Sequence, residues 1–443
     1  MSFSSASVFK RFERVCWYLF VATAAWQTRL IVWQADAQFN EWRSASVYAS
    51  DVFMIALIIS ALIATRGRFL RRIEASDWAL GFVFAAGVFS LGHAEQLTVG
   101  VIQLARLAQF IVLYLYLRAY AWQRFSVDLS VLVFVAGALV QAMLGIGQYI
   151  AQHDLGLRWL GETLLRTDMR GVAVFYDLGY TKVLRAYGTL PHPNILAAYL
   201  MVALWFVAWL WAKYGSRVWF GVLVPLLWGF FLTFSRTVIA VWAGAWTLLA
   251  GTLWMHRGWP NSDAVRVRMR ALGVVALVTC AVFAALYWPQ IRARLTISAS
   301  DEAVRLRVTY AADAVATGGW SWLHINWTGV GIGNFTTWLA GYDRTLPPSL
   351  IQPAHNVFLM VYAEMGVLGL LAWLVWLALV VRMAWRAHRG QPIVRAGILS
   401  LVVGLFVVGM FDHFFWTLQQ GRILWWGVLA LAAGKAEFEK EKS

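Results

Sequence analysis

Long apolar runs alternate with short polar connections along almost the whole chain, and this pattern predicts a bundle of membrane-spanning helices. Each run holds roughly 17 to 25 mainly apolar residues, the length that an α-helix needs to cross a bilayer. The predicted spans cover residues 15–33, 47–65, 77–93, 98–117, 127–150, 193–212, 218–234, 237–254, 271–288, 366–385, 396–411 and 416–434. We therefore predict an all-α polytopic membrane protein of about twelve transmembrane helices, with residues 1–443 forming a single transmembrane domain.

Two longer polar segments interrupt the apolar pattern, at residues 151–192 and 289–365. We expect each to form short helices that lie over the membrane. The second segment is the longest interval between apolar runs, and it carries groups that could do chemistry on an anion. These groups are Arg292, Arg294, Arg305, Arg307 and His355.

One short helix is predicted to begin after Ser300, a residue suited to the N-cap position and followed by two acidic residues. The apolar side chains that follow recur at helical spacing and fall on one face. They are Val304, Val308, Ala311, Ala312 and Val315. Gly318 and Gly319 are expected to end this helix.

A glycine-rich stretch at residues 329–335 predicts a tight structural turn, because no strand–helix context makes it a phosphate-binding loop. The apolar run at residues 357–364 is too short to span a membrane and is interrupted at Met365 and Gly366. It predicts a helix that dips into the outer leaflet and turns into the next span. His355 would then lie at the interface, where an ordinary pKa of ~6.5 suits a general base. A purely structural role for His355 stays open.

The composition excludes a soluble globular protein. The chain is 61% hydrophobic and 13% charged, whereas soluble domains carry about 25% charged residues. Its 27 Trp residues fit interfacial aromatic belts, helix packing, or both. Cys16 and Cys280 lie within predicted spans, which argues against a disulfide framework, and no residue pattern indicates a metal site. The basic N-terminus before the first apolar run predicts an uncleaved first span.

The net charge of +15 comes largely from basic residues in alternate short connections. By the positive-inside rule these connections are cytoplasmic, so both termini are cytoplasmic and segments 151–192 and 289–365 face outward. The basic residues punctuate apolar spans and are not interleaved with aromatic residues on a polar face. The predicted partners therefore include membrane lipids and exclude nucleic acid.

The positive-inside rule predicts few arginines on the outer side, so each arginine placed there requires an explanation. They are Arg185, Arg236, Arg292, Arg294, Arg305 and Arg307. Arg236 lies in a tight outward turn between two long spans, and an arginine at membrane depth usually faces a cavity or pairs. Snorkelling to lipid headgroups is one interpretation; binding the anionic group of a membrane-embedded substrate is the one we favour. Arg106 lies within the fourth predicted span, and its role stays open.

Histidines mark two further candidate positions. His192 precedes Pro193 and Asn194, which suit a helix start, so a structural role is at least as well supported as a catalytic one. Asp412 and His413, at the outward end of the eleventh span, form a second and weaker Asp/His candidate.

Five short motifs then occur in order between residues 185 and 370. They are Arg185–Ala197 (RAYGTLPHPNILA), Phe234–Thr237 (FSRT), Arg305–Val308 (RLRV), Gly329–Phe335 (GVGIGNF), and His355–Asn356 continuing to Glu364–Gly369 (EMGVLG). Together they resemble the bacterial O-antigen ligase and polymerase superfamily, which comprises membrane glycosyltransferases of the C-type helical architecture. Thr309 stands where many relatives carry Trp, so the resemblance leaves open whether Arg305 or Arg307 is the functional loop arginine.

The resemblance implies an O-antigen ligase in the bacterial inner membrane, with its active site facing the periplasm. The donor would be a glycan on undecaprenyl diphosphate, and the acceptor a sugar hydroxyl of lipid A–core. His355 would be the general base of an inverting transfer that needs no metal or other cofactor. Arg236 and Arg305, then Arg185 and Arg307, would stabilise the diphosphate. Secondary candidates are His192, Asn356, Glu364, Asp412 and His413.

Three other functions stay open. An O-antigen polymerase would use the same donor with another lipid-linked glycan as acceptor, and an O-linked protein oligosaccharyltransferase would use a protein hydroxyl. The spacing of Arg236, Arg305 and His355 favours the ligase. A transporter of lipid-linked glycan could also use arginines in a cavity, but it would tolerate the loss of His355. The lack of a visible internal repeat argues weakly against a transporter.

Overall fold

The computed structural model describes residues 5–36, 39–71, 73–256, 258, 262–295, 302–318, 325–345, 347 and 350–434. The helices are α1 (Ser5–Ala22), α2 (Ala49–Thr65), α3 (Ala75–Ser90), α4 (Leu97–Ala119), α5 (Val127–Ala151), α6 (Pro193–Tyr214), α7 (Val218–Leu232), α8 (Arg236–Met255), α9 (Ser262–Leu286), α10 (Trp288–Leu295), α11 (Glu302–Ala316), α12 (Phe335–Tyr342), α13 (Val357–Ala387), α14 (Pro392–Phe411), α15 (Phe414–Thr417) and α16 (Gln419–Ala433). Two antiparallel hairpins pair β1 (Arg29–Gln34) with β2 (Ser44–Tyr48), and β3 (Val174–Tyr176) with β4 (Lys182–Leu184). Short 3-10 turns cover Glu41–Arg43, Arg68–Arg71, Leu91–His93, Ala121–Gln123 and Arg158–Leu160.

The fold is mostly helical, which confirms the predicted all-α class. Within the described residues, eight helices are long and apolar enough to cross a membrane: α3, α4, α5, α6, α8, α9, α13 and α14. Helices α2 and α7 are apolar but shorter. The chain is therefore a multi-pass membrane protein by its helix lengths and hydropathy.

Helix α6 is the centre of the bundle. In its most apolar window 83% of the residues are buried within the protein, whereas the other seven long helices reach 39% at most. It packs against α5, α7, α8, α9 and α14. A helix that is apolar on every side suits this position, because its whole surface is covered by neighbours.

The end of the first predicted span is wrong. Helix α1 ends at Ala22, and residues 29–34 form a strand that pairs with β2, with Arg29 opposite Tyr48. The β-branched Ile31 and Val32 and the aromatic Trp33 favour a strand, and an Arg29–Glu41 ion pair of 2.5 Å links the hairpin to the turn that precedes β2.

The segment 151–192 also differs from expectation. Instead of short α-helices it contains one 3-10 turn and the β3–β4 hairpin. Phe175 and Val183 are buried against the main core, and Leu184 is buried on the opposite face, so both faces of the hairpin are partly covered. Strand β4 ends at Leu184 and so directly precedes Arg185. The hairpin therefore determines where Arg185 enters the bundle.

The predicted interruption at Met365 and Gly366 is confirmed. Helix α13 is kinked at Gly366, whose φ of 70° and ψ of −170° are not helical. The kink frees two carbonyl groups, and the glycine-rich turn uses them: Val330 N donates to Ala363 O (2.9 Å) and Gly331 N to Glu364 O (3.1 Å). A Cβ on Gly366 would lie 2.2 Å from the carbonyl carbon of Trp327, so the turn packs directly on the kink.

Helix α11 confirms a helix where one was predicted, whereas Ser300 and Gly319 lie outside the described residues. The predicted apolar face of this helix is not the face that packs against the protein. Val308 and Val315 are exposed, and Tyr310 and Ala314 are buried instead. Arg307 is partly buried on this same side, at helical spacing from Tyr310 and Ala314.

Candidate functional site

The candidate site lies at the end of the bundle where α6, α8 and α13 begin and α14 ends. His192 is the N-cap of α6, Ser235 the N-cap of α8 and Asp412 the C-cap of α14. His355 directly precedes Asn356, the N-cap of α13. Helix termini leave backbone groups unpaired, so polar side chains gather at this end.

A hydrogen-bonded chain links three of these segments. The Arg185 guanidinium donates through Nη2 to Asn194 Oδ1 (2.8 Å) and through Nε to Thr233 O (2.6 Å). Asn194 Nδ2 then donates to Asp412 Oδ2 (2.8 Å). Ser235 Oγ also donates to Asn194 Oδ1, at 3.0 Å. Asn194 therefore connects the arginine to the carboxylate and holds both in place.

His355 is positioned by its neighbour Asn356. The Asn356 side chain accepts hydrogen bonds from Phe358 N and Leu359 N, at 2.8 and 3.1 Å, and so caps α13. Its Nδ2 donates to Met410 O (2.9 Å), which ties the cap to the end of α14. This brings His355 beside His413, with ring centroids 5.0 Å apart and planes at 80°.

The remaining surroundings of His355 leave one ring nitrogen available. Its Nδ1 is buried and has no hydrogen-bond partner among the described residues. On the other side of the ring Tyr310 of α11 is stacked at 6.2 Å, and its hydroxyl donates to Leu350 O (2.6 Å). His413, in contrast, is engaged: its Nδ1 lies 2.6 Å from Thr417 Oγ1, and its ring meets Trp42 edge-on.

The electrostatics keep these histidines neutral near pH 7. Burial lowers the pKa of His355, and the positive charge of Arg307 lowers it further, although Asp412 acts in the opposite direction. Burial lowers the pKa of His413 and of His192 to about 3. A neutral imidazole can accept a proton, so His355 is in the form that a general base requires.

Asp412 is ionised in this environment. Burial alone would raise its pKa, but interactions with His413, His355 and His192 and the hydrogen bond from Asn194 hold it well below the usual range. A carboxylate beside His355 can stabilise the imidazolium that forms when the base takes a proton.

Four arginines converge next to this group from separate segments. Arg185 is 7% exposed, and burial together with the positive charges of Arg294, Arg307 and Arg236 lowers its pKa. Arg236 Nη1 donates to the backbone oxygen of Arg294 (3.1 Å), and the Arg294 guanidinium lies over the Phe175 ring at 5.7 Å. In the part of the chain that the structure describes, neither Arg185 nor Arg307 forms an ion pair. Such a concentration of positive charge favours an anionic ligand.

The structure brings Arg307, and not Arg305, toward the site. Arg305 is exposed, whereas Arg307 is partly buried and its charge acts on Arg185, His355 and His413. The two residues are two positions apart on α11, so they point to different sides of the helix. Of the two loop arginines, Arg307 is therefore the one whose charge reaches the candidate site.

The two remaining secondary candidates, His192 and Glu364, also form hydrogen bonds within the protein. His192 Nδ1 accepts from Asn194 N (3.2 Å) and caps α6. Glu364 is buried within α13 and accepts from the Trp416 indole at 2.8 Å.

Sequence reasoning overlooked Asn194 as a link and Tyr310 as the residue stacked on His355. A polar residue just inside a helix start and a lone Tyr on a short helix give no local signal of either role.

Within the described residues, no group of three or more His, Cys, Asp or Glu side chains is arranged to hold a metal ion. The chain matches no known protein-family model, and no curated protein shows significant sequence similarity to it.

Proposed function

We propose that this protein is an O-antigen ligase, a glycosyltransferase that moves a glycan from undecaprenyl diphosphate to a sugar hydroxyl of lipid A–core. The single observation that carries the proposal is the position of Arg307. Its charge acts both on Arg185, within the cation cluster, and on His355 and His413. An anion-binding group and a neutral base therefore adjoin each other, as a transfer from a diphosphate requires.

The chemistry is a single displacement. The acceptor hydroxyl oxygen attacks the anomeric carbon of the donor while His355 takes the hydroxyl proton. The bond between that carbon and the diphosphate oxygen breaks, and the lipid diphosphate leaves with the electron pair. One displacement inverts the anomeric carbon.

The protein's groups divide this work. Arg185 and Arg307, with Arg236 and Arg294 beside them, stabilise the charge that grows on the leaving diphosphate. Asp412 stabilises the imidazolium of His355, and Asn194 fixes the position of Asp412 relative to Arg185. The energy for transfer resides in the diphosphate linkage, so the reaction as proposed needs no nucleotide or metal ion.

The proposal includes a membrane topology. In it the eight long apolar helices and the four shorter helices α1, α2, α7 and α16 together act as twelve spans. In this arrangement both termini are cytoplasmic, and α10–α12 lie at the periplasmic face of the inner membrane. The exposed Val308 and Val315 of α11 would then contact the outer leaflet while Arg307 faces the site.

The test is transfer in vitro with the purified full chain, the lipid-linked donor and lipid A–core, with and without a chelator. We expect glycan-capped lipid A–core in both conditions and none with His355→Ala. A product that is only lengthened donor would instead identify a polymerase. Donor movement across a vesicle membrane that survives His355→Ala, without any transfer, would identify a transporter.

A further inference from the structure

A large cavity lies at the end of the bundle opposite the candidate site. Its volume is about 400 Å³, and the last turns of α6 and α8 and the first turns of α9 and α14 border it. Along α6 the lining residue nearest the candidate site is Trp205, 12 residues after Pro193 and so about 18 Å along the helix. Its walls are mainly apolar and include Trp205, Phe206 and Trp246.

A smaller cavity of about 90 Å³ adjoins the large one, and its walls are almost wholly apolar. Val131, Phe206, Val428 and Leu431 line both cavities, so the two lie next to each other between the helices. An apolar cavity of roughly 150 Å³ already takes up small hydrocarbon molecules rather than water. A space of this size and lining therefore suits hydrocarbon chains.

One end of the large cavity is positively charged. Lys213 borders it and is ion-paired with Asp128 at 3.0 Å. Arg268 also borders it, donates to the backbone oxygens of Ala212 and Lys213, and has no acidic partner among the described residues. An uncompensated guanidinium beside apolar walls matches an amphiphile whose head is anionic.

We propose that these adjoining cavities bind the acyl part of a membrane phospholipid with an anionic headgroup. An acyl chain occupies the large cavity, the small cavity takes a short hydrocarbon segment, and Arg268 binds the headgroup phosphate. The site is distinct from the glycan-transfer site and does not depend on the proposed transfer activity.

Two glycines allow the space to be filled without disturbing the backbone. Gly397 lines the large cavity and Gly427 the small one. At both positions no atom of the described residues lies within 4 Å of where a Cβ would stand. Gly397→Leu and Gly427→Leu therefore add a side chain to the lipid space. Gly244→Leu is a matched control, because Gly244 is helical, exposed and equally unobstructed but lines neither cavity.

The experiment measures lipid retention by native mass spectrometry of the full chain, purified in detergent and incubated with phosphatidylglycerol or phosphatidylcholine. We expect the unmodified protein to retain phosphatidylglycerol with at least about tenfold preference. Gly397→Leu and Gly427→Leu should each lower that retention, and Gly244→Leu should leave it unchanged. Equal retention by the two cavity variants and the control would overturn the site.

Arg268 variants test the headgroup. Arg268→Gln should abolish the preference for phosphatidylglycerol, and Arg268→Lys should keep part of it because the positive charge remains. Equal retention of both lipids by the unmodified protein would overturn the proposal that the site prefers an anionic headgroup. Elution volume and thermal unfolding of every variant show whether it is folded.

Discussion

Arg106 and the arginines of the candidate site have different surroundings. Arg106 of α4 lies 2.6 Å from Asp51 Oδ2, and the other carboxylate oxygen of Asp51 accepts from Gln109 (3.0 Å) and Gln419 (2.7 Å). The charge of Arg106 is matched by a carboxylate whose own hydrogen bonds are complete. Arg106, whose role the sequence left open, therefore joins α4 to α2 and α16.

Arg185 of the candidate site has no such match among the described residues. It donates to the neutral oxygens of Thr233 and Asn194, and the charged groups that lower its pKa are other arginines. A buried charge without a counter-ion destabilises a fold. A ligand that supplies negative charge would offset this cost, which is the difference expected between a binding site and a structural ion pair.

The largest expected effect follows from removing the base. His355→Ala should lower the transfer rate by roughly 10²–10⁴-fold, the range for a general base, with little change in donor affinity. Single-turnover transfer and donor binding to the purified protein measure the two separately. The control is His192→Asn, because His192 caps α6 and Asn can also cap a helix. A comparable loss of transfer rate in His355→Ala and His192→Asn would contradict the assignment of His355 as the base and His192 as a helix cap.

Next in size is the loss of a cation. Arg307→Gln should lower the transfer rate by roughly 10²–10³-fold, as expected for a group that stabilises developing charge. Arg305→Gln is the matched control on the same helix, and its rate should stay within about threefold because Arg305 is exposed. If Arg305→Gln were the more damaging change, α11 would present its other side to the substrate.

This pair also shows what the sequence could and could not predict. The periodicity that predicts α11 is local, and so are the apolar runs, so α11 and the eight long apolar helices could be predicted. The side of α11 that packs inward could not. The apolar periodicity places Val308 and Val315 on one face without saying what covers it, because an apolar side chain at a membrane surface can point away from the protein.

The network around Asp412 was unpredictable for a related reason. Asn194 and Asp412 are 218 residues apart and meet only because α6 and α14 pack against each other. Asn194 looked like a helix-start residue, which it also is, and nothing local reveals a second role. Strand β1 could not be predicted for the same reason. Its apolar run suits a membrane span, but in the structure it pairs with β2, which follows a polar turn.

A change in the matched pair should affect stability and not transfer. Asp51→Asn leaves Arg106 buried without its carboxylate, which we expect to cost roughly 3–5 kcal/mol of unfolding free energy. Thermal unfolding in detergent would measure the loss, and the transfer rate per folded molecule should stay within about threefold. Asp168→Asn is the control, since the Arg166–Asp168 pair is exposed and should matter little. A stable but inactive Asp51→Asn protein would mean that Arg106 belongs to the site.

The smallest effect is a displacement of the pH profile, and its sign distinguishes the two charges beside His355. The base acts in its neutral form, so transfer falls as the pH drops through the pKa of His355, which burial places below the ordinary value. Arg307 lowers this pKa, so Arg307→Gln should move the acid limb to higher pH, whereas Arg307→Lys should not. Asp412 raises it, so Asp412→Asn should move the limb to lower pH. Single-turnover transfer rates of both variants between about pH 4 and 8, a range that spans the ordinary pKa of histidine, measure the position of the acid limb. If both variants moved the limb in the same direction, the titrating group would not be a histidine lying between Arg307 and Asp412.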